Sequence, residues 1–257
     1  MNPRISVITV TYNCKKELEK TVLSIRSQNY SDFEYIIIDG KSTDGTLDII
    51  KANSDIISYW TSEKDNGIYD AMNKGIGVSK GQYIIFMNAG DTFFNEETLL
   101  KIPFEKYPNA DIFYGETVIT ASDGTVLGLR RKKLPSNLNW KHFKKGMVVC
   151  HQSIFVNRRI VSLYNLNYTY SADIDWVLMV LKASEQTVFT NTIISRFAEG
   201  GFSSRNKKNS WSDRFIILKR NFGLWQCILS HIVFIFENLL IYTKIIPPYR
   251  KNYIRNE

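Results

Sequence analysis

Three short blocks in the first hundred residues are apolar, rich in β-branched side chains, and end abruptly in polar residues. Residues 5–10 read Ile-Ser-Val-Ile-Thr-Val and give way to Thr11, Tyr12 and Asn13. Residues 35–38 run into Asp39, Gly40 and a cluster of acids, hydroxyls and glycine that ends at Thr46. Residues 82–87 are followed by Asn88, Ala89, Gly90 and Asp91. A strand covered on both faces reads as a continuous apolar run, so the blocks predict buried parallel strands. Between the first two, residues 15–28 carry Leu18, Val22 and Ile25 on one helical face, with Asn13 as the expected N-cap. Residues 5–39 are thus a βαβ unit with a right-handed crossover.

Ligands of open α/β sheets collect just past the carboxyl ends of the strands. Asp39 and Asp91 therefore stand where a ligand would bind, although Asp91 also suits the cap of a helix starting near Asn95. A carboxylate at a strand exit is expected to be partly solvated. Asp44, Gly45 and Thr46 are turn and cap residues for a helix over residues 47–52. No Gly-x-Gly-x-x-Gly follows the first strand and no Gly-x-x-x-x-Gly-Lys-Ser/Thr is present, which removes the signatures of a dinucleotide-binding domain and of a P-loop ATPase. A different nucleotide site is implied.

Composition narrows this further. At 257 residues and 44% apolar content the chain can bury a sizeable core. Cys14, Cys150 and Cys227 are odd in number and widely spaced, which suggests neither disulfide framework nor zinc knuckle and is simplest in a reducing cytoplasm. The N-terminus enters a strand with no signal-peptide core. The net charge of +8 is concentrated beyond residue 202, where ten Lys and Arg face Asp213, Glu237 and Glu257. There, residues 222–246 are rich in Leu, Ile, Phe, Trp and Tyr but interrupted by Gln226, His231, Glu237, Asn238 and Lys244. Such a segment fits a surface-lying membrane helix or a packed terminal helix better than a spanning one. Breaks are expected at residues 103–109, at the basic run 130–133 read as solvated charge, and at 200–210, the best linker; a hairpin turns around residues 122–124. The expected division is a catalytic domain over residues 1–202 and a basic, aromatic-rich helical tail over 203–257. The near-neutral remainder offers no nucleic-acid groove, so no nucleic-acid partner is expected.

Residues 6–13, 24–28 and 35–46, then Tyr59-Trp60, residues 64–75 and 81–91, together resemble the N-terminal signature of family 2 glycosyltransferases. The resemblance is close over about the first 95 residues and looser to about residue 200. It implies a GT-A fold: α/β, Rossmann-like, with a mostly parallel sheet, flanking helices and here an amphipathic C-terminal helical tail. It implies a hexosyltransferase that moves one sugar, with inversion, from a nucleoside-diphosphate donor, UDP-linked first, to a hydroxyl of a glycan or lipid-linked acceptor. In the family the residue matching Asp39 contacts the uridine; Thr11, Tyr12 and Asn13 at the first strand exit, and some of Lys64, Asp65, Tyr69, Asp70 and Asn73 on the loop and helix between the second and third site strands, are expected to line the donor pocket, and Lys74 is read as solvated. The family has an acid-rich element at residues 88–91 that holds Mg²⁺ or Mn²⁺, and only Asp91 keeps its carboxylate here. A single Asp suffices if the diphosphate and water complete the sphere. Asp173 falls at the position of the catalytic base, beside Ala172 in place of a Glu, ahead of an apolar helix over 177–181. Asp175, two residues on, cannot share its helical face and is read as support. His151 and Gln152 match a segment near the acceptor and are assigned positioning roles. The implied setting is assembly of a bacterial surface polysaccharide, with the enzyme cytoplasmic and peripheral on the anionic inner face of the cell membrane. Loss of the acids at Asn88, Gly90 and Ala172 leaves a second reading, a catalytically silent sugar-nucleotide or glycan-binding module.

Overall fold

A computed structural model describes residues 2–121, 123–200 and 206–251, with only the backbone at Lys207. Its frame is a ten-stranded mixed sheet in the order β10-β7-β6-β8-β4-β1-β2-β3, with β9 alongside β6 and β5 paired to β9. The strands are β1 (Ile5–Thr11), β2 (Phe33–Asp39), β3 (Tyr59–Ser62), β4 (Tyr83–Phe86), β5 (Thr92–Phe93), β6 (Ile112–Thr120), β7 (Val126–Arg130), β8 (Ile154–Asn157), β9 (Thr187–Ala198) and β10 (Tyr249–Arg250). β1, β2, β3 and β4 run parallel, whereas β8 enters antiparallel to both β4 and β6. The N-terminal half is thus parallel and the other half mostly antiparallel.

The apolar runs in β1, β2 and β4 are explained by two cores, one on each face. Ile8, Val10, Ile36, Ile38, Ile84 and Phe86 point into one, while Ile5, Val7, Tyr35, Ile37, Tyr83 and Ile85 point into the other. Successive strand side chains face opposite ways, so both parities must be apolar when both faces are covered. Helix α1 (Lys15–Arg26) covers one face with Leu18, Val22 and Ile25. Helices α3 (Ile68–Val78) and α4 (Ala172–Ala183) cover the other with Met72, Trp176, Val177 and Val180. The short helix α2 (Thr46–Ala52) follows the turn after β2. Segment 95–101, expected to begin a helix, is a chain of turns. The cap of α1 also differs, since Asn13 lies outside the helix at φ 48° and Cys14 occupies the N-cap. Asp44 takes over the work, accepting the amide of Lys15 at 3.0 Å through one oxygen and the Thr46 amide at 3.0 Å through the other.

Beyond residue 202 the chain folds back onto this body. Residues 201–205 of the expected linker lie outside the described residues, and 207–210 already belong to α5 (Lys207–Phe222). Ile217 of α5 is fully buried in the core beneath α4, Leu218 is equally inaccessible, and Phe222 stacks on Trp140 at 5.5 Å. Helix α6 (Leu224–Tyr242) follows, and then β10 adds an edge strand to β7, where Arg250 reaches Glu116 at 2.6 Å.

Burying an aliphatic side chain contributes about 1.5–3 kcal/mol, so Ile217 and Leu218 together amount to a sizeable part of the roughly 5–15 kcal/mol that holds a domain folded. A chain ended after Ser210 is therefore expected to unfold at clearly lower urea than the full chain. Coincident urea midpoints for the two would show that α5 adds nothing to the core.

Candidate active site

Register sets the site. Thr11 at the end of β1 stands opposite Asp39 at the end of β2, and Asp39 stands opposite Ser62 at the end of β3. β4 ends lower, but Met87 donates to the carbonyl of Ile8 and Ala89 to that of Val10, so Asn88–Asp91 reach the same rim. The hydroxyl of Thr9 and that of Thr21 on α1 fix this loop, the first bonding the Met87 carbonyl at 2.7 Å and the second the Asp91 carbonyl at 2.8 Å.

On the β2 side, Asp39 is wholly buried, contrary to the partly solvated carboxylate expected at a strand exit. Its oxygens accept the Ser42 amide at 2.9 Å and the hydroxyls of Ser42 and Ser62, each at 2.5 Å. The reason is local: the turn after β2 folds Ser42 back over the strand end, and the neighbouring strand supplies Ser62. Asn13 joins this turn, its carbonyl oxygen accepting the Thr43 amide at 2.8 Å. Tyr12 is 61% exposed, with its ring edge against Gly40, where a Cβ would stand 3.3 Å from it and 2.6 Å from the Asp65 carboxylate. Glycine is what lets the turn approach both side chains.

Asp70, in the first turn of α3, accepts the Asn66 amide at 2.9 Å, and Lys64, between β3 and α3, is exposed. Lys74, read as solvated, is instead half-buried: it pairs with Glu63 at 2.8 Å and donates to the Lys64 carbonyl at 3.3 Å, fastening the loop. Both ends of the Asn73 amide are taken by the backbone of Tyr164, at 3.0 and 2.7 Å. Asn73 therefore ties α3 to a distant loop, and Tyr164 stacks between Tyr69 and Trp176 at ring distances of 5.3 and 5.0 Å.

Opposite lies the segment that carries His151 and Gln152. A 3-10 turn, His151–Ser153, leads into β8 with His151 and Gln152 buried. Gln152 donates to the Asp91 carboxylate at 2.8 Å, and the His151 Nε2 meets the Asn88 amide nitrogen at 3.2 Å. On its other side His151 Nδ1 stands 3.7 Å from Asp173, in the first turn of α4, and Tyr69 donates to the other Asp173 oxygen at 3.3 Å. Asp91, Gln152, Asn88, His151, Asp173 and Tyr69 thus form one polar cluster over the aromatic stack. Asp175 is not in it; about 200° round the helix from Asp173, it is buried and faces Arg220 of α5 at 3.8 Å.

Burial decides the electrostatics. It pushes the Asp91 carboxyl up to about 6, against the opposing pull of the Gln152 hydrogen bond and the His151 charge. It pushes the hydroxyls of Tyr69 and Tyr164 well up, and the Asp173 charge adds to both shifts. The segment leading into His151 is pinned by cations expected to be solvated: Arg130 donates to the carbonyls of Val148 and Met147 at 2.9 and 3.1 Å, and Lys132 to that of Lys145 at 2.5 Å. The Lys145 carbonyl ends a 3-10 turn (Trp140–Lys145) and those of Met147 and Val148 follow it; all three need donors, which draws the basic side chains inward.

Among the described residues no group of three or more His, Cys, Asp or Glu could hold a metal ion. The Asn88 side-chain oxygen is buried with no hydrogen-bond partner among them, one loop turn from Asp91. An amide oxygen and one carboxylate are hard donors that suit Mg²⁺ or Mn²⁺ when substrate phosphate and water supply the rest. A nearby cation would also favour the ionised form that burial disfavours. The donor set fits. Reading the sequence missed Tyr164 and Trp176 as parts of the site; Tyr164 stands in a polar loop with no periodic signal, and Trp176 reads as a core residue of α4.

Comparison with known proteins bears on this geometry. The chain is 28% identical over 212 residues to a PGL/p-HBAD biosynthesis glycosyltransferase of Mycobacterium bovis, covering 79% of this chain and 80% of that one. It is 28% identical over 159 residues to the putative teichuronic acid biosynthesis glycosyltransferase TuaG of Bacillus subtilis, covering 61% and 63%. In structure it is similar to S. aureus TarS 1–349, with a TM-score of 0.70 at 14% identity over 96% of this chain and 76% of that chain, a protein also solved with UDP-GlcNAc. A mannosyltransferase of Pyrobaculum calidifontis, solved with GDP-Man and Mn²⁺, matches with a TM-score of 0.63 at 14% identity over 97% and 83%. These likenesses support the GT-A fold. The model of Glycosyl transferase family 2 matches residues 6–163, which span both the strand-end rim and the His151–Gln152 segment, and the chain therefore belongs to that glycosyltransferase family.

Proposed function

We propose that the protein moves one sugar from a nucleoside-diphosphate donor, UDP-linked, to a hydroxyl of a cell-envelope glycan or its lipid-linked precursor, with inversion at the anomeric carbon. The observation that carries this reading is the polar cluster joining Asp91 to Asp173 through Gln152, Asn88 and His151. In this reading Asp91, past the end of β4, serves the donor, and Asp173, in the first turn of α4, serves the acceptor. The structural relatives solved with UDP-GlcNAc and with GDP-Man support the donor class, and relatives named for teichuronic acid and PGL/p-HBAD biosynthesis support an envelope acceptor.

The exposed ring of Tyr12 beside Gly40 suits stacking of a base, and the turn built on Asp39, Ser42 and Asn13 holds that ring in place. Asp91 and the Asn88 oxygen would hold a divalent cation, which when bound neutralises charge on the diphosphate. Asp173 takes the proton of the acceptor hydroxyl as its oxygen forms the bond to the anomeric carbon. The bond from that carbon to the diphosphate breaks, and the departing nucleotide keeps the electron pair. Tyr69 donates to Asp173 and fixes its orientation, while Asp175, committed to Arg220, is no second base.

Asp173→Asn is expected to bind UDP-sugar normally and to turn over at least ~10²-fold more slowly, the low end for loss of a general base. Near-normal turnover would move the base elsewhere, and wild-type protein with no transfer from any nucleotide sugar would favour a silent binding module. A second expectation follows from Asp91, whose carboxyl burial pushes up to about 6, above the ordinary aspartate value. A raised carboxyl costs stability once ionised, so the cost is complete above about pH 6, fades as pH falls, and is gone below the unfolded value. In chelator, Asp91→Asn should therefore melt higher than wild type near neutral pH, with the gap closing in acid, and it should lose the Mn²⁺-dependent part of UDP affinity. Lower melting of the variant near neutral pH, or full wild-type transfer in excess chelator, would remove Asp91 from the metal role.

A further inference from the structure

Helix α6 spans 19 residues with a mean hydropathy of 1.7, enough by length and composition to cross a bilayer, yet only 11% of its apolar window is buried within the protein. One side is fastened to the body. Cys227 and Ser230 are buried, the Ser230 hydroxyl donates to the Lys144 carbonyl at 2.5 Å, and Phe234 packs on Trp211 at 5.1 Å under the guanidinium of Arg214. The chain leaves α6 and within a few residues returns as β10 to the same sheet, where Tyr249 donates to Glu199 at 2.6 Å. Both ends of α6 are thus anchored to one folded body. A helix that crossed a membrane would separate them.

The opposite side is a continuous apolar stripe. Trp225, Leu229, Ile232, Phe236, Leu239 and Tyr242 recur at spacings of three and four, and each is more than half exposed. Charge identifies what covers it. The only acid on α6, Glu237, is neutralised by Arg131, while Lys141, Lys144 and Lys145 on the adjoining 3-10 turn and Lys244 just past the helix are exposed. Residues 203–257 carry seven more positive than negative charges. A second copy would bring this basic surround against its own like charge, whereas an anionic surface with an apolar interior satisfies the stripe and the charge around it together.

We infer that the stripe of α6 lies flat in the interface of an anionic lipid bilayer, drawn there by the exposed lysines of the adjoining 3-10 turn and by Lys244, and docks the enzyme on the membrane without crossing it. The inference stands on the geometry of α6 and not on the transfer reaction, so vesicle binding and activity can fail separately. Because the 3-10 turn under α6 leads directly to His151, this orientation brings the acceptor side of the site close to the lipid surface.

The full chain is mixed with phosphatidylglycerol vesicles and with phosphatidylcholine vesicles, and followed by cosedimentation and by tryptophan emission. Binding should be at least ~10-fold tighter to the anionic vesicles, fall in high salt, and shift the emission to the blue, since Trp225 is 83% exposed in the free protein. Trp225→Ser with Phe236→Ser should lose at least ~10-fold in vesicle affinity at an unchanged melting temperature. Equal binding to both vesicle types, no binding at all, or a vesicle-indifferent dimer that the double substitution dissociates would each overturn the proposal. Membranes from expressing cells should release the protein in alkaline carbonate, and retention would mean that α6 spans.

Discussion

The parallel pairing of β1 with β2 and β4 is the constraint on which the rest of the site depends. Those strands are buried on both faces, so a one-residue slip would exchange the sets facing the two cores and move every strand exit at once. The register of Thr11 against Asp39 and of Ile8 against Phe86 is held by α1 on one side and by α3 with α4 on the other. Inside β1 the polar side chains of Ser6 and Thr9 are hydrogen-bonded, and further polar residues gather where each strand emerges. The rim is a consequence of the two cores, and the chemistry occupies the one edge where backbone and side chains meet water.

From that rim the site is assembled by long-range polar contacts that cost little only because each is satisfied. Asp39 is tolerated at full burial by three donors, and the Asn88–Asp91 loop is tied by Thr9 and Thr21 before Gln152 reaches it. A buried carboxylate with fewer donors titrates, as Asp91 does, and the unsatisfied oxygen of Asn88 beside it gives that loop a reason to accept a cation. Asp173 differs. It sits in a helix's first turn, partly open, with an aromatic stack of Tyr69, Tyr164 and Trp176 beneath it that fixes where it points without covering it.

How much of this could be read from the chain follows the range of the interactions. β1, β2 and β4 were legible because burial on both faces writes a continuous apolar run, Asp39 and Asp91 were legible as candidates because each stands past a strand end, and Asp173 was legible through the resemblance to family 2 glycosyltransferases. That Asp173 and Asp175 part company was also legible, since 200° of helix separates them. The burial of Asp39 was not, because Ser62 arrives from another strand, and neither was the Asn73 clip to Tyr164, which joins residues 91 apart. Basic residues 130–133 read as solvated because sequence does not reveal which carbonyls will be left open at residues 145–148.

The C-terminal segment carries the same lesson about composition. Its charge and aromatic content are visible at once, but they describe two faces that do different things. Ile217, Leu218, Cys227 and Ser230 close the body, while Trp225, Leu229 and Phe236 are turned away from it. Helix α6 is held at Ser230, Phe234 and Glu237 and its chain returns through β10, so the exposed stripe is presented in a fixed orientation relative to His151 and Asp173. A flexible tether would let the domain sample every angle to a surface. A rigid face instead fixes which side of the site approaches it, and for an acceptor embedded in lipid that restriction replaces a search in three dimensions by one in the plane.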